Sequence, residues 1–420
     1  MYKAPRGTSD QLPSEQKYWS YIQDVIASVC MAYGFDRINT PIFESTALFV
    51  RTVGEQTDVV QKEMYTFDDR GGESLTLRPE GTAPVCRAYL EHGMHVLPQP
   101  VRVFYFCPIF RYERPQAGRF RQHNQFGVEA IGDPDPLVDA EVIQLGWDMT
   151  KQLGLKKMSL VINSIGDSEC RPAYLTALKA YYSERLDKVC KDCLSRFERN
   201  PLRLLDCKEE SCAPFIVGAP ESVQYLCENC KDHWNKLRRY LKGLGLEYSE
   251  DHRLVRGLDY YTRTVFEIKP SGGGSQSTVL GGGRYDGLIQ ELGGPATPGV
   301  GFGCGVERLI ANLKEQTVPV TDHQMRKIVV ACLGDEAVDA GILIANELRV
   351  NGISSVMAPR SRSLKSQMRY ASNLNARFTI IIGQNEIINQ TVLLRDMDEG
   401  SQKETPVSEI TNMVSSAVAL

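Results

Sequence analysis

The run Arg111-Tyr-Glu113-Arg114, followed by Arg119-Phe-Arg121-Gln-His123-Asn-Gln125-Phe-Gly-Val-Glu129, is the part of the chain best equipped to handle anions. A guanidinium beside a carboxylate and an amide can hold a phosphate at one end and an amine or imidazole at the other. Gln125 and Glu129 lie an even number of residues apart, so on a strand they share a face, and across a hairpin Arg111 can join them. By charge pattern alone, an exposed hairpin with surface ion pairs is an equally good reading.

Three further segments carry chemistry-bearing residues. Leu254-Val-Arg256-Gly-Leu-Asp259-Tyr260-Tyr261 reads as the start of a strand running to Ile268, on which adjacent tyrosines face opposite ways and only one enters a pocket with Arg256. Arg78-Pro-Glu80-Gly81-Thr82 supplies a carboxylate and a hydroxyl around a turn, or a plain helix cap. In Gly299-Val-Gly301-Phe-Gly303-Cys-Gly305-Val-Glu307-Arg308, alternating glycines permit close approach on one face, and Arg308 at the following helix start can reach a phosphate. The spacing matches neither the dinucleotide fingerprint nor the phosphate loop ending in Gly-Lys-Ser/Thr, so both common nucleotide folds are disfavoured.

The cysteines raise a separate question. The knuckles Cys190-Lys-Asp-Cys193 and Cys227-Glu-Asn-Cys230 have the spacing of a structural zinc site, with Cys207 and Cys212 between them as further ligands or plain reduced thiols.

The elements that must position these residues are legible in outline. Trp19, Ile22, Ile26 and Val29 recur at helical spacing between Ser14 and Tyr33, closed by Gly34. Phe35 to Pro41 alternates as a short strand that stops at a proline. Val101–Glu113 and Gln122–Ile131 form two strands of an antiparallel hairpin whose polar tip holds Arg114, Arg119 and Arg121. From about 170 to 250 the chain turns rich in Lys, Arg, Glu and Cys with helical periodicity, which marks an insertion. Gly299 to Leu313 passes from strand to helix. Beyond Thr321, strands at Lys327–Leu333, Ile353–Ala358, Phe378–Ile382 and Thr391–Arg395 alternate with helices at Asp335–Val350 and Leu364–Asn375 and a final helix. That pattern predicts a small α/β domain with a mostly parallel sheet.

At 420 residues the chain has length for two or three domains, and 42% hydrophobic with 24% charged residues describes a soluble globular protein. A net charge of −4 gives no bulk attraction to nucleic acid, so RNA would have to be met by local basic patches such as Arg360, Arg362, Lys365 and Arg369, or these form a solvated helix face. No signal peptide or apolar run of membrane-spanning length is seen, so a cytosolic (cytoplasmic) enzyme with no membrane association and reduced cysteines is expected.

Taken in order, these segments resemble the class II aminoacyl-tRNA synthetases: Gly34 to Pro41 their first motif, Arg111 to Glu129 the second, Gly301 to Arg308 the third. Within that class, Leu254-Val-Arg-Gly-Leu-Asp-Tyr-Tyr261 and Gly282-Gly-Arg-Tyr-Asp-Gly287 are similar to the two signatures of the histidyl-tRNA synthetase family, and the resemblance covers essentially the whole chain. It implies an α+β fold: a class II antiparallel sheet flanked by helices over 1–325, a helical insertion at about 170–250, and a C-terminal α/β anticodon-binding domain over 326–420. It also implies ATP-dependent activation of L-histidine and its transfer to tRNA(His), with Mg2+ accompanying ATP, by a homodimer.

The same resemblance implies the site. Arg256, Arg111 and Arg308 would be catalytic, the first near the α-phosphate where related synthetases place a metal ion. Arg111, Glu113, His123 and Arg308 would bind ATP, with His123 standing where the family commonly stacks a phenylalanine on adenine. Glu80, Gly81, Thr82, Gln125, Glu129, Arg256, Tyr260 and Tyr261 would bind histidine, Glu129 and Tyr261 bracketing the imidazole. Arg114, Arg119 and Arg121 would meet tRNA. A non-catalytic relative of the fold, which regulates the first enzyme of histidine biosynthesis, typically loses such residues and the C-terminal domain; this chain keeps both.

Overall fold

The structure is a computed structural model describing residues 2–55, 57–114, 119–272, 278–320, 326–360 and 363–418, without the side chains of 416–418. It divides into two compact units, Met1–Val320 and Thr321–Leu420.

The first unit is organised by an eight-stranded sheet. In spatial order its strands are Asp36–Arg37, Val101–Phe110, Gln122–Ile131, Gly299–Gly305, Leu280–Arg284, Thr262–Pro270, Met158–Ser164 and Tyr248–Glu250. The inner pairings are antiparallel, and only the two short edge strands pair in parallel. The hairpin read from the sequence is present, its second strand with the expected bounds and its first ending at Phe110.

Period-two alternation decides which side of this sheet each residue faces. Phe126, Val128 and Ala130 join Val300, Phe302 and Cys304 in a core against the helices Gln16–Ala32, Pro136–Gln152 and Val306–Glu315. Trp19, Ile22, Ile26 and Val29 are all buried in that layer. Gln125 and Glu129 therefore point to the opposite face with the glycines of the Gly299–Gly305 strand, which we call the glycine strand.

That opposite face is covered by the helix Thr82–Glu91 and by the insertion's helices Arg171–Ser183, Lys191–Arg199 and Ala213–Val217 with their short helical turns, whereas the insertion's last helix, Glu228–Gly243, buries Cys230, Trp234, Leu237 and Leu241 in the first layer. A buried ion pair fastens the sheet to the helix Pro136–Gln152. Arg284 and Asp139 are both fully buried, and Arg284 Nε donates to Asp139 Oδ2 at 3.1 Å while its Nη1 donates to Asp286 Oδ1 at 3.1 Å.

One expected element is different. The strand begins at Thr262, and Leu254–Tyr261 is loop and turn. Gly257 breaks the run, and the left-handed backbone at Arg263, φ 50°, marks an irregular entry into the sheet.

The second unit holds a five-stranded sheet in the order Ser355–Met357, Ile328–Cys332, Phe378–Ile382, Thr391–Asp396 and Gln402–Pro406. Its first two pairings are parallel and its last two antiparallel, so it is mixed rather than mostly parallel. The unanticipated strand Gln402–Pro406 is an edge with one buried residue, Thr405, which is why no apolar alternation announces it. Lys365 and Arg369 are exposed one turn apart on Leu364–Asn373, Arg360 pairs with Asp335, and Arg362 lies outside the described residues. No helix among the described residues is long and apolar enough to cross a membrane.

Candidate active site

The site is a cavity of about 320 Å³ on the open face of the large sheet. The hairpin contributes Arg111, Glu113, Arg119, Phe120, His123 and Gln125, the turn before Thr82–Glu91 contributes Glu80 to Thr82, and the irregular segment contributes Arg256, Tyr260 and Tyr261. Glu307 and Arg308 enter from the helix after the glycine strand.

Glycines make the space. A Cβ on Gly303 would lie 2.0 Å from Gln125 Nε2, one on Gly301 2.0 Å from Glu129 Oε2, and one on Gly281 2.5 Å from the Arg256 guanidinium. The close approach permitted by the alternating glycines is thus used first by neighbouring side chains of the site itself.

At one end the groups are acidic and phenolic. Glu80 accepts the amides of Thr82 and Ala83, each at 2.7 Å, so it caps the helix and lines the cavity at once. Glu129 lies behind the wall, fully buried, where Tyr285 donates to it at 2.5 Å, Thr82 at 2.8 Å and Tyr105 at 3.3 Å. Burial pushes its carboxyl up to about 8, and the three hydroxyls pull back against that rise. Burial, reinforced by nearby Glu129, holds the phenols of Tyr105 and Tyr285 well above their ordinary value, so both remain protonated donors. Tyr260 and Tyr261 both reach the cavity, their rings 4.7 Å apart. The expectation that only one could enter fails because they sit in a turn, where strand alternation does not apply.

At the other end the groups are cationic. Arg111 Nε donates to the Pro79 carbonyl at 2.7 Å, and Arg308 Nη1 to the Thr278 carbonyl at 2.5 Å. Glu307 accepts the Asn124 amide at 2.8 Å, fastening this helix start to the hairpin. Burial, with Arg111 and Arg308 adding repulsion, pushes His123 down to about 4, so its ring is neutral and can stack on a heteroaromatic base. Arg256 lies between the two ends, pairing with Glu267 at 2.6 Å, while Thr278 donates to the other oxygen of Glu267 at 2.8 Å.

The three loop arginines separate. Arg119 lines the cavity and pairs with Glu113 at 3.5 Å; Arg114 is exposed; Arg121 stacks on Tyr112 at 3.7 Å and is not among the lining residues. Pro115 to Gly118 lie outside the described residues.

Sequence reasoning missed Tyr105, Tyr285, Glu267, Thr278, Asp206 and Lys208, which support or line the site from segments distant in the chain. The doublet Arg284-Tyr285 offered a signal for one of them, since neighbours on a strand face opposite sides: Arg284 goes to the helices, Tyr285 to Glu129.

The cysteine knuckles do not meet each other. Cys190 and Cys193 converge with Cys207 and Cys212, whereas Cys227 and Cys230 converge with Asp167 and Cys170. The ligand set Cys190, Cys193, Cys227 and Cys230 is therefore wrong: the helical turns between the knuckles fold each onto different partners.

Comparison with known proteins agrees with this geometry. A family model described as histidyl-tRNA synthetase matches residues 7–309, and one described as anticodon binding domain matches 327–417. A histidine–tRNA ligase of Dehalococcoides mccartyi is 50% identical over 410 residues, covering 98% of both chains; one from Caldanaerobacter subterraneus is 48% identical over 412 residues, covering 98% of this chain and 99% of the relative. The crystal structure of apo Staphylococcus aureus histidyl-tRNA synthetase superposes with a TM-score of 0.82 at 39% identity, covering 98% of this chain and 99% of that one. A fold likeness also extends to a Bacillus halodurans structure titled as an ATP phosphoribosyltransferase regulatory subunit/histidyl-tRNA synthetase, with a TM-score of 0.66 at 24% identity over 91% of this chain and 98% of that one. By the matched model, the full-length relatives and the shared fold, the chain belongs to the histidyl-tRNA synthetase family.

Proposed function

We propose that the chain activates L-histidine with ATP to histidyl-adenylate and transfers the histidyl group to tRNA(His). The observation that carries this reading is a pair of buried, unpartnered polar atoms on two residues that line the cavity: Gln125 Oε1 and Arg256 Nε have no hydrogen-bond partner among the described residues. One is an acceptor suited to an ammonium, the other a donor suited to a carboxylate or phosphate, and a bound amino acid adenylate offers both.

Histidine lies at the acidic end. Glu80, Thr82 and Gln125 take its α-amino group, with Gly81 leaving room, and Tyr260 and Tyr261 flank the ring. A carboxylate has about four acceptor positions, three of which on Glu129 face hydroxyls, so one remains for an imidazole N–H. An amino acid without that donor leaves the buried acid and the Tyr261 phenol unpaired, which discriminates without editing.

ATP lies at the cationic end, its adenine against His123 and beside Glu113. The histidine carboxylate attacks the α-phosphorus and pyrophosphate leaves. Arg111 and Arg256 stabilise charge at the α-phosphate, and Arg308 holds the outer phosphates, by electrostatic preorganisation rather than covalent chemistry. The carboxylate of Glu113 and the phosphates themselves suit Mg2+ accompanying ATP, which neutralises phosphate charge. The acceptor end of tRNA(His) approaches Arg114, Arg119 and Arg121, and residues 326–420 take the anticodon. The working form is a cytoplasmic homodimer.

Charging of tRNA tests the reading: the purified chain attaches histidine, and no other standard amino acid, to tRNA(His). Failure to charge that tRNA with histidine overturns it.

A further inference from the structure

We propose that Cys190, Cys193, Cys207 and Cys212 hold a structural zinc ion that fixes one wall of the catalytic cavity. Their four sulfur atoms lie within 4.8 Å of one another. Cys190 and Cys207 are 3.7 Å apart, Sγ to Sγ. Zinc–sulfur bonds of about 2.3 Å in a tetrahedron require sulfurs about 3.8 Å apart. A disulfide would bring them to about 2.0 Å.

The backbone supplies a donor to one of these sulfurs: the Cys190 amide donates to Cys212 Sγ at 3.3 Å. Such an N–H donor orients and neutralises metal-bound sulfur. Four soft thiolates in a tetrahedron select zinc among common divalent ions.

The local fold needs a staple. On the helix Lys191–Arg199 the only buried side chain is Cys193, and the chain from there to Val217 consists of short helical turns. A metal centre would tie these short turns together beside the apolar side chains they bury, Leu204, Leu205 and Ile216.

The position gives the ion its role. Asp206 and Lys208, the neighbours of Cys207, line the catalytic cavity. Between the knuckle and Cys207, Asn200 donates to Asp259 at 2.6 Å, and the Arg203 guanidinium occupies the space beside Gly257. Asp259 and Gly257 belong to the segment that carries Arg256, Tyr260 and Tyr261. Zinc would thus position the histidine-reading segment without touching substrate.

The other cluster is left out of the proposal because Asp167 is already engaged. Its Oδ1 accepts the amides of Glu169 and Cys170 at 3.1 and 3.3 Å, and its Oδ2 pairs with Arg263 at 3.3 Å.

Metal analysis of the purified full-length chain, expressed with zinc in the medium, tests the proposal. About one equivalent of zinc per chain should be lost in Cys193→Ser and in Cys207→Ser and retained in Cys227→Ser. Should those variants fold poorly, cobalt exchanged into the unmodified chain should give the intense visible absorption of tetrahedral cobalt thiolate. Zinc-free wild-type protein with no such cobalt spectrum, iron in place of zinc, or an equivalent that survives in Cys193→Ser and Cys207→Ser would overturn it.

Discussion

Tyr285 donates its phenolic proton to Oε2 of Glu129 across 2.5 Å, although one sheet strand separates the elements that carry them. The glycine strand lies between, with Gly301 directly opposite Glu129. A Cβ on Gly299 would meet the Tyr285 ring at 2.3 Å and one on Gly301 would meet Glu129 at 2.0 Å, so the bond exists because that strand carries no side chains on this face. Removing the hydroxyl leaves the packing and deletes one hydrogen bond to an acid. Such bonds are worth about 1.5–3 kcal/mol, so Tyr285→Phe should lower kcat/KM for histidine roughly ten- to hundredfold, chiefly through KM, as read by steady-state kinetics.

Glu129 also sets a pH dependence. Its carboxyl is raised from an ordinary 4.5 to about 8, so it is neutral in the folded chain at pH values where the unfolded chain has ionised it. The stability it contributes is complete below 4.5 and is lost as pH rises through 8. Chemical denaturation across that window should show a steeper decline for the wild type than for Glu129→Gln. Binding of histidine, whose ammonium and ring N–H favour the ionised acid, should release up to about one proton per chain near neutral pH, measured calorimetrically in buffers of different ionisation enthalpy.

Three glycines should separate function from folding. Alanine at Gly303 meets the Gln125 amide and at Gly281 the Arg256 guanidinium, both ends of side chains that can shift. Those variants should fold and lose activity, Gly303→Ala by raising KM for histidine and Gly281→Ala by lowering kcat, each about tenfold or more. Alanine at Gly301 would also lie 2.3 Å from the Val128 carbonyl, so Gly301→Ala should lower the unfolding midpoint.

The Arg284–Asp139 pair is a folding element. Asp139→Ala strands a fully buried guanidinium and should destabilise the first unit by about 3–5 kcal/mol in denaturant titrations. Replacing both partners with apolar residues should restore much of that loss.

What was legible in the sequence follows from the range of the interactions. The hairpin and the glycine strand could be read because alternation and a polar loop are local signals, and Arg111, His123, Gln125 and Arg308 reach the cavity as expected. Tyr260 and Tyr261 were misassigned because their β-favouring composition is overridden by the turn at Gly257 to Tyr260. Asp206, Lys208 and Glu267 left no local mark, since tertiary folding alone brings them to the cavity. The cysteine partners were unreadable for the same reason: spacing identifies a knuckle, whereas the path of the insertion decides which sulfurs it meets.

Exchange of labelled pyrophosphate into ATP measures adenylate formation without tRNA, and so addresses the cavity alone. The account predicts that histidine, and no other standard amino acid, stimulates exchange, and that Arg256→Ala abolishes it while the fold is kept. Absence of histidine-dependent exchange, or near-normal exchange in Arg256→Ala, would contradict it.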